Sequence, residues 1–163
     1  ISRTDTEIDA RLSAINSPDA LSLRGCAAVS QAKVAYSKFQ AAFSGPRWEK
    51  LASLGANVQR PLWASTSVKN PSYSPTLYVD ELIGPDSVNT MPDNTIKDFL
   101  KVGSVARTVD VSVEDAQYNL DRIQTMGIDL DDVAQKLEIE GVASFTKAFH
   151  DLLTSLEAKA KDQ

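Results

Sequence analysis

The sequence has 163 residues, of which 42% are hydrophobic and 24% charged. That balance suits one ordinary globular domain and excludes a disordered or fibrous chain. A formal net charge of -5 and a pI near 4.9 argue against a nucleic-acid partner, although a local cationic pocket for a phosphorylated metabolite stays compatible with them. Cys26 is the single cysteine and His150 the single histidine, so neither an internal disulfide nor a zinc site of ordinary ligand count can be assembled. Apolar runs are short and broken by charge, which predicts no membrane-spanning helix and a protein suited to a reducing cytoplasm.

The chain opens on Ile1-Ser2-Arg3, without an initiating Met or an apolar signal core, and reads as the last residues of a strand begun upstream. From Thr4 to Phe43 the pattern is helical. Ile8, Leu12 and Ile15 fall on one face, and Val29, Lys33, Tyr36 and Gln40 form a later stripe. Ser17-Pro18 supplies a helix start and Gly45-Pro46 a stop, before a short helix from Trp48 to Leu54. Pro61 to Ala64 reads as a buried strand and Ser87 to Met91 as a second strand, separated by a helix that starts at Ser74-Pro75. Pro92 opens another helix. This alternation predicts βα repeats feeding a parallel sheet.

The remaining third contains no strand pattern. Val113 to Met126 reads as a helix capped by Ser112, and Asp129 to Glu140 as another that ends near Gly141. In the terminal helix Val142, Phe145, Phe149, Leu152 and Leu156 share one face, a stripe expected to pack against the body. His150 lies near that stripe and reads as a packed or edge histidine, and Cys26 as a small buried residue inside a helix. Asp129, Asp131 and Asp132 lack the glycine and glutamate of a calcium loop, so helix capping accounts for them better.

Two polar clusters fall at the C-terminal ends of predicted strands, the edge where parallel α/β folds place their sites. They are Ser2-Arg3 and Ser65-Thr66-Ser67-Val68-Lys69-Asn70. Hydroxyls, backbone N–H groups, a forked guanidinium and a compact ammonium converging on one point would make a phosphate receptor. No glycine-rich phosphate loop and no Ser-His-Asp arrangement is present to compete with them.

The run Arg60-Pro61-Leu62-Trp63-Ala64-Ser65-Thr66-Ser67-Val68-Lys69-Asn70-Pro71, followed by Tyr73-Ser74-Pro75-Thr76-Leu77-Tyr78-Val79 and Gly84-Pro85-Asp86-Ser87-Val88-Asn89-Thr90-Met91-Pro92, resembles transaldolase in its longer bacterial form. Ser2-Arg3-Thr4-Asp5-Thr6-Glu7-Ile8-Asp9 is similar to the family's segment after its sixth barrel strand. Gly141-Val142-Ala143 through Phe145 is similar to its C-terminal region. The resemblance covers the whole chain but only the C-terminal half of the family.

What the resemblance implies is an α/β fold: a partial (β/α)8 barrel holding roughly strands six to eight, with additional C-terminal helices and mostly helical by residue count. Residues 1–163 would form a single domain, with βα units over 1–103 and terminal helices over 104–163. The intact enzyme would pass a dihydroxyacetone unit between sedoheptulose 7-phosphate and glyceraldehyde 3-phosphate through a lysine Schiff base, with no metal and no cofactor. That lysine and the family's acid and base residues belong to earlier strands, so no catalytic residue is expected in this chain. Arg3 and Ser65 match the family's substrate-phosphate residues, and Lys69 is the nearest cation where the spacing departs from shorter relatives. The isolated chain would be inactive, and would associate with an N-terminal half or with itself. The rival expectations are a non-catalytic sugar-phosphate-binding or barrel-completing module and a helical interaction protein using the Phe145 stripe.

Overall fold

The computed structural model describes residues 1–161 and divides after Ile128 into two compact units. The first contains α1 (Ser2–Ile15), α2 (Pro18–Ser22), α3 (Ala27–Ala42), α4 (Gly45–Ser53), β1 (Leu62–Trp63), α5 (Leu77–Asp80), β2 (Val88–Asn89), α6 (Asp93–Val102) and α7 (Val113–Thr125). The fold is α/β, mostly helical, and β1 and β2 form a parallel pair in the register Leu62 to Val88 and Trp63 to Asn89. Parallel strands need a crossover, and the segment carrying α5 supplies it. On the other side of β1, the Ile1 amine donates to the Ala64 carbonyl at 2.8 Å and Ser2 N–H to the Ser65 carbonyl at 2.9 Å.

Small side chains on α3 set the packing of this unit. Ala27, Ala28 and Ala32 are buried, which lets the α3 backbone approach its neighbours. It packs against α1 and, most extensively, along α7. Ala32 and Tyr36 meet Trp63, Leu82 and Val109 in a central cluster, with Ile1, Val29 and Phe39 at its edge. The Tyr36 hydroxyl leaves this apolar surround by donating to the Pro85 carbonyl at 2.8 Å.

Several boundaries differ from the sequence-based expectation. Ser2 and Arg3 open α1 instead of ending a strand. The stretch from Thr4 to Phe43 is three helices, because Asn16 takes a left-handed φ of 55° and Gly25 one of 73°. Cys26 consequently occupies the N-cap of α3, half-buried, and not a helix interior. Gly45-Pro46 opens α4 where the pattern predicted a stop. Ser17 caps α2 as expected, accepting from Ala20 N–H at 3.1 Å. Ser112 stands at the start of α7 with a φ of 54°, but its side chain makes no cap hydrogen bond.

The second unit, from Asp129 onward, is built on α8 (Leu130–Lys161). Asp129 accepts from the N–H groups of Asp131 at 2.9 Å and Asp132 at 3.4 Å, the capping role expected of it. Gly141 does not end the helix, since α8 runs through it without interruption. Along α8 the side chains of Val142, Phe145, Phe149, Leu152 and Leu156 are exposed, and His150 with them. No helix among the described residues is long and apolar enough to cross a membrane.

Candidate functional site

The three residues singled out from sequence meet in one place. Arg3, Ser65 and Lys69 line a single cleft of about 490 Å³, together with Ser67, Thr90 and Pro92. Each arrives by a different route. The hydrogen bond from Ser2 N–H to the Ser65 carbonyl fastens the start of α1, and Arg3 with it, against the loop that leaves β1. Ser65 takes a left-handed φ of 57°, a conformation that costs a residue with a Cβ about 1–3 kcal/mol and tends to persist where surrounding contacts demand it. Thr90 and Pro92 come from the segment that leaves β2, which enters α6 at Asp93.

The electrostatics favour an anion. The first turn of α1 and the N-cap of α6, Pro92, border the cleft, and helix N-termini carry unspent N–H groups and the positive end of the helix dipole. Asp5 and Asp93 lie in the first turns of these helices and offset part of this field. Arg3 and Lys69 are exposed, and among the described residues neither side chain has a hydrogen-bond or ion-pair partner. Two unspent cations, two serine hydroxyls and two helix starts around an open cleft can hold a phosphate-sized group.

Behind the Lys69 loop lies a smaller cavity of about 210 Å³, bordered by Asp5, Asp9, Tyr73, Tyr78 and Lys69 itself. Asp5, only 2% exposed, accepts from Ala28 N–H at 2.7 Å and from the Tyr78 hydroxyl at 2.6 Å. Asp9 accepts from Gly25 N–H at 2.9 Å and from the Tyr73 hydroxyl at 2.6 Å. Burial pushes the Asp5 carboxyl above its ordinary range, against the pull of those two donors. Burial, followed by donation to Asp9, moves the Tyr73 phenol up to about 12. The Tyr78 phenol is raised for the same reasons, with Asp5 as its acceptor. Both phenols therefore keep their protons at neutral pH and tie the crossover between the strands to α1.

Sequence reasoning gave these aspartates and tyrosines no place in the site, nor Thr90 and Pro92. The last two carried a usable signal, because they follow a predicted strand at its C-terminal end. The Asp–Tyr pairs carried none, since 64 and 73 residues separate the partners. A third hollow of about 270 Å³ runs past Cys26, Lys33, Glu81 and Asp115. There Lys33 donates to Glu81 at 3.1 Å and to the Val111 carbonyl at 3.3 Å, so its charge is already matched.

A sequence profile described as transaldolase/fructose-6-phosphate aldolase matches residues 1–156. The chain belongs to the transaldolase/fructose-6-phosphate aldolase family. It is 47% identical over 160 residues to a transaldolase of Mycolicibacterium smegmatis, covering 98% of this chain and 43% of that protein. It is 46% identical over 160 residues to transaldolase 2 of Streptomyces avermitilis, with the same coverage of both chains. A Mycobacterium leprae transaldolase is 48% identical over 155 residues, 94% of this chain and 41% of the relative. The chain thus spans less than half the length of these curated relatives of the transaldolase family.

Proposed function

We propose that this chain is the phosphate-gripping part of a transaldolase. The observation that carries the reading is the convergence of Arg3, Ser65 and Lys69 on one cleft. In the intact enzyme a dihydroxyacetone unit passes from sedoheptulose 7-phosphate to glyceraldehyde 3-phosphate, giving erythrose 4-phosphate and fructose 6-phosphate. A lysine amine, placed outside this chain, adds to the ketose carbonyl and loses water to form an imine. The protonated imine takes up the electron pair of the breaking carbon–carbon bond, and the resulting enamine attacks the acceptor aldehyde before water releases the product. The residues present here hold the far end of the sugar. Arg3 supplies a forked pair of donors to phosphate oxygens, Ser65 a hydroxyl, and Lys69 a mobile positive charge. Fixing the phosphate fixes the carbonyl relative to the amine, which lowers the entropic part of the barrier.

The same reading treats the β1–β2 pair as two strands of a (β/α)8 barrel, with the edge beside Ile1 as the place of a third. Two paired strands leave edges that need partners. The exposed Leu62, Leu100 and Val105 suit coverage by the N-terminal portion of such a barrel. That portion is the proposed partner, alongside the sugar phosphate, and cytoplasmic metabolism is the proposed setting.

Titration of the chain with inorganic phosphate and with fructose 6-phosphate tests the cleft. Saturable binding is expected, weakened about tenfold or more in Arg3→Gln through loss of charge-assisted hydrogen bonds. Borohydride trapping with fructose 6-phosphate, in a mixture with the N-terminal portion of a relative, tests the division of labour. An adduct confined to the added portion is expected, and an adduct on this chain overturns it. Phosphate binding without an adduct on either component would favour a non-catalytic binding module.

A further inference from the structure

The two walls of the cleft leave a sheet too short to hold them. Each strand has two residues, and the ladder bonds across their ends run from Val88 N–H to the Pro61 carbonyl at 2.9 Å and from Thr90 N–H to the Trp63 carbonyl at 3.0 Å. Beyond Trp63 the chain turns through the left-handed Ser65. Ser65 and Ser67 line the cleft on one side and Thr90 and Pro92 on the other. Where the backbone ladder stops, side chains take over. Thr66 lies between the two serines and is 0% exposed. Its hydroxyl donates to Asn89 Oδ1 at 2.8 Å, with the Thr90 carbonyl oxygen 3.2 Å away. The other end of the Asn89 amide donates to the Tyr78 carbonyl at 3.1 Å, and the Tyr78 hydroxyl reaches Asp5 on α1, two residues from Arg3.

We infer that Thr66 and Asn89 are positioning residues for the anion site, a pair that touches no ligand but sets the separation of its two walls. The inference rests on the phosphate reading of the cleft. Both ends of the Asn89 amide are engaged, so its orientation is fixed, and both acceptors of the Thr66 hydroxyl belong to the opposite wall. Through Tyr78 and Asp5 the same chain of bonds fixes the start of α1, so three separate segments that meet the ligand share one frame. A buried, fully engaged network of this kind holds its members to one arrangement.

Two replacements at Thr66 separate positioning from packing. Thr66→Val keeps the volume and removes the hydroxyl, whereas Thr66→Ser keeps the hydroxyl and removes a methyl group. Binding of inorganic phosphate, measured by titration calorimetry beside thermal melting, should weaken about tenfold in Thr66→Val, the equivalent of one net hydrogen bond. In Thr66→Ser it should stay within about twofold of the unaltered chain although the lost methyl lowers the melting temperature. Asn89→Ala, at a half-buried position, should match Thr66→Val and decides the matter if that variant fails to fold. Undiminished binding in Thr66→Val and Asn89→Ala, with binding weakened in Arg3→Gln as expected, overturns this inference alone. Affinity in Thr66→Ser that falls in step with its stability also overturns it. No saturable binding by the unaltered chain overturns the phosphate reading and this inference together.

Discussion

Ser65 shows most directly how a single residue can trade stability for chemistry. Its φ of 57° suits glycine, so Ser65→Gly should relieve strain and leave stability unchanged or higher by up to about 1 kcal/mol. The same change removes a hydroxyl from the cleft and should weaken phosphate binding severalfold, a divergence that melting and titration of one sample would reveal. Asp5 makes a complementary case through pH. Its carboxyl is held above the ordinary 3.8 chiefly by burial, so the folded state binds that proton more tightly than the unfolded state does. The stabilisation from this group is full below the unfolded value and is lost as pH rises through the raised folded one. Asp5→Asn cannot ionise, and chemical unfolding over that window should show a shallower decline for it than for the unaltered chain.

Among the elements, those governed by local chemistry were legible before any coordinates. Ser17 capped where its Ser-Pro pair said it would, and the runs Pro61 to Ala64 and Ser87 to Met91 each carried a strand. The strands are shorter than the runs, because an apolar residue is equally content in a buried loop and the ladder ends where chain direction changes. Arg3, Ser65 and Lys69 were legible as candidate anion ligands, and one cleft brings them together, although Arg3 reaches it from the start of α1 and not from a strand end. The Thr66–Asn89 tie was not, since nothing in either local pattern names a partner 23 residues away. Gly141 misled in the opposite sense. Glycine ends helices by adopting a left-handed conformation, yet a helix can also carry it at a cost of about 1 kcal/mol relative to alanine. Gly141→Ala should therefore stabilise α8 by roughly that amount, with helical circular dichroism retained to higher temperature. A proper terminator at that position would lose stability instead.

At the scale of the whole molecule, exposed apolar surface dominates the expected behaviour. Leu54, Leu100 and Val105 are 77%, 80% and 83% exposed, and the Phe145 stripe adds a face along α8, whose 32 residues extend about 48 Å at the usual rise. Apolar area on this scale is uncommon on an isolated soluble chain. Sedimentation should detect concentration-dependent association of the chain alone, reduced in Phe149→Glu. A monomer at every concentration would show that the stripe drives no assembly. Cys26 offers a chemical readout of the packing around it. Burial, with the nearby Asp5 and Asp9 charges adding to it, pushes the lone thiol above its ordinary range, while alkylating reagents demand a thiolate they can reach. The sulfur is half-buried beside the hollow that runs past Lys33 and Asp115, so alkylation should be slower than that of a free thiol at the same pH and should rise with pH as the thiolate forms.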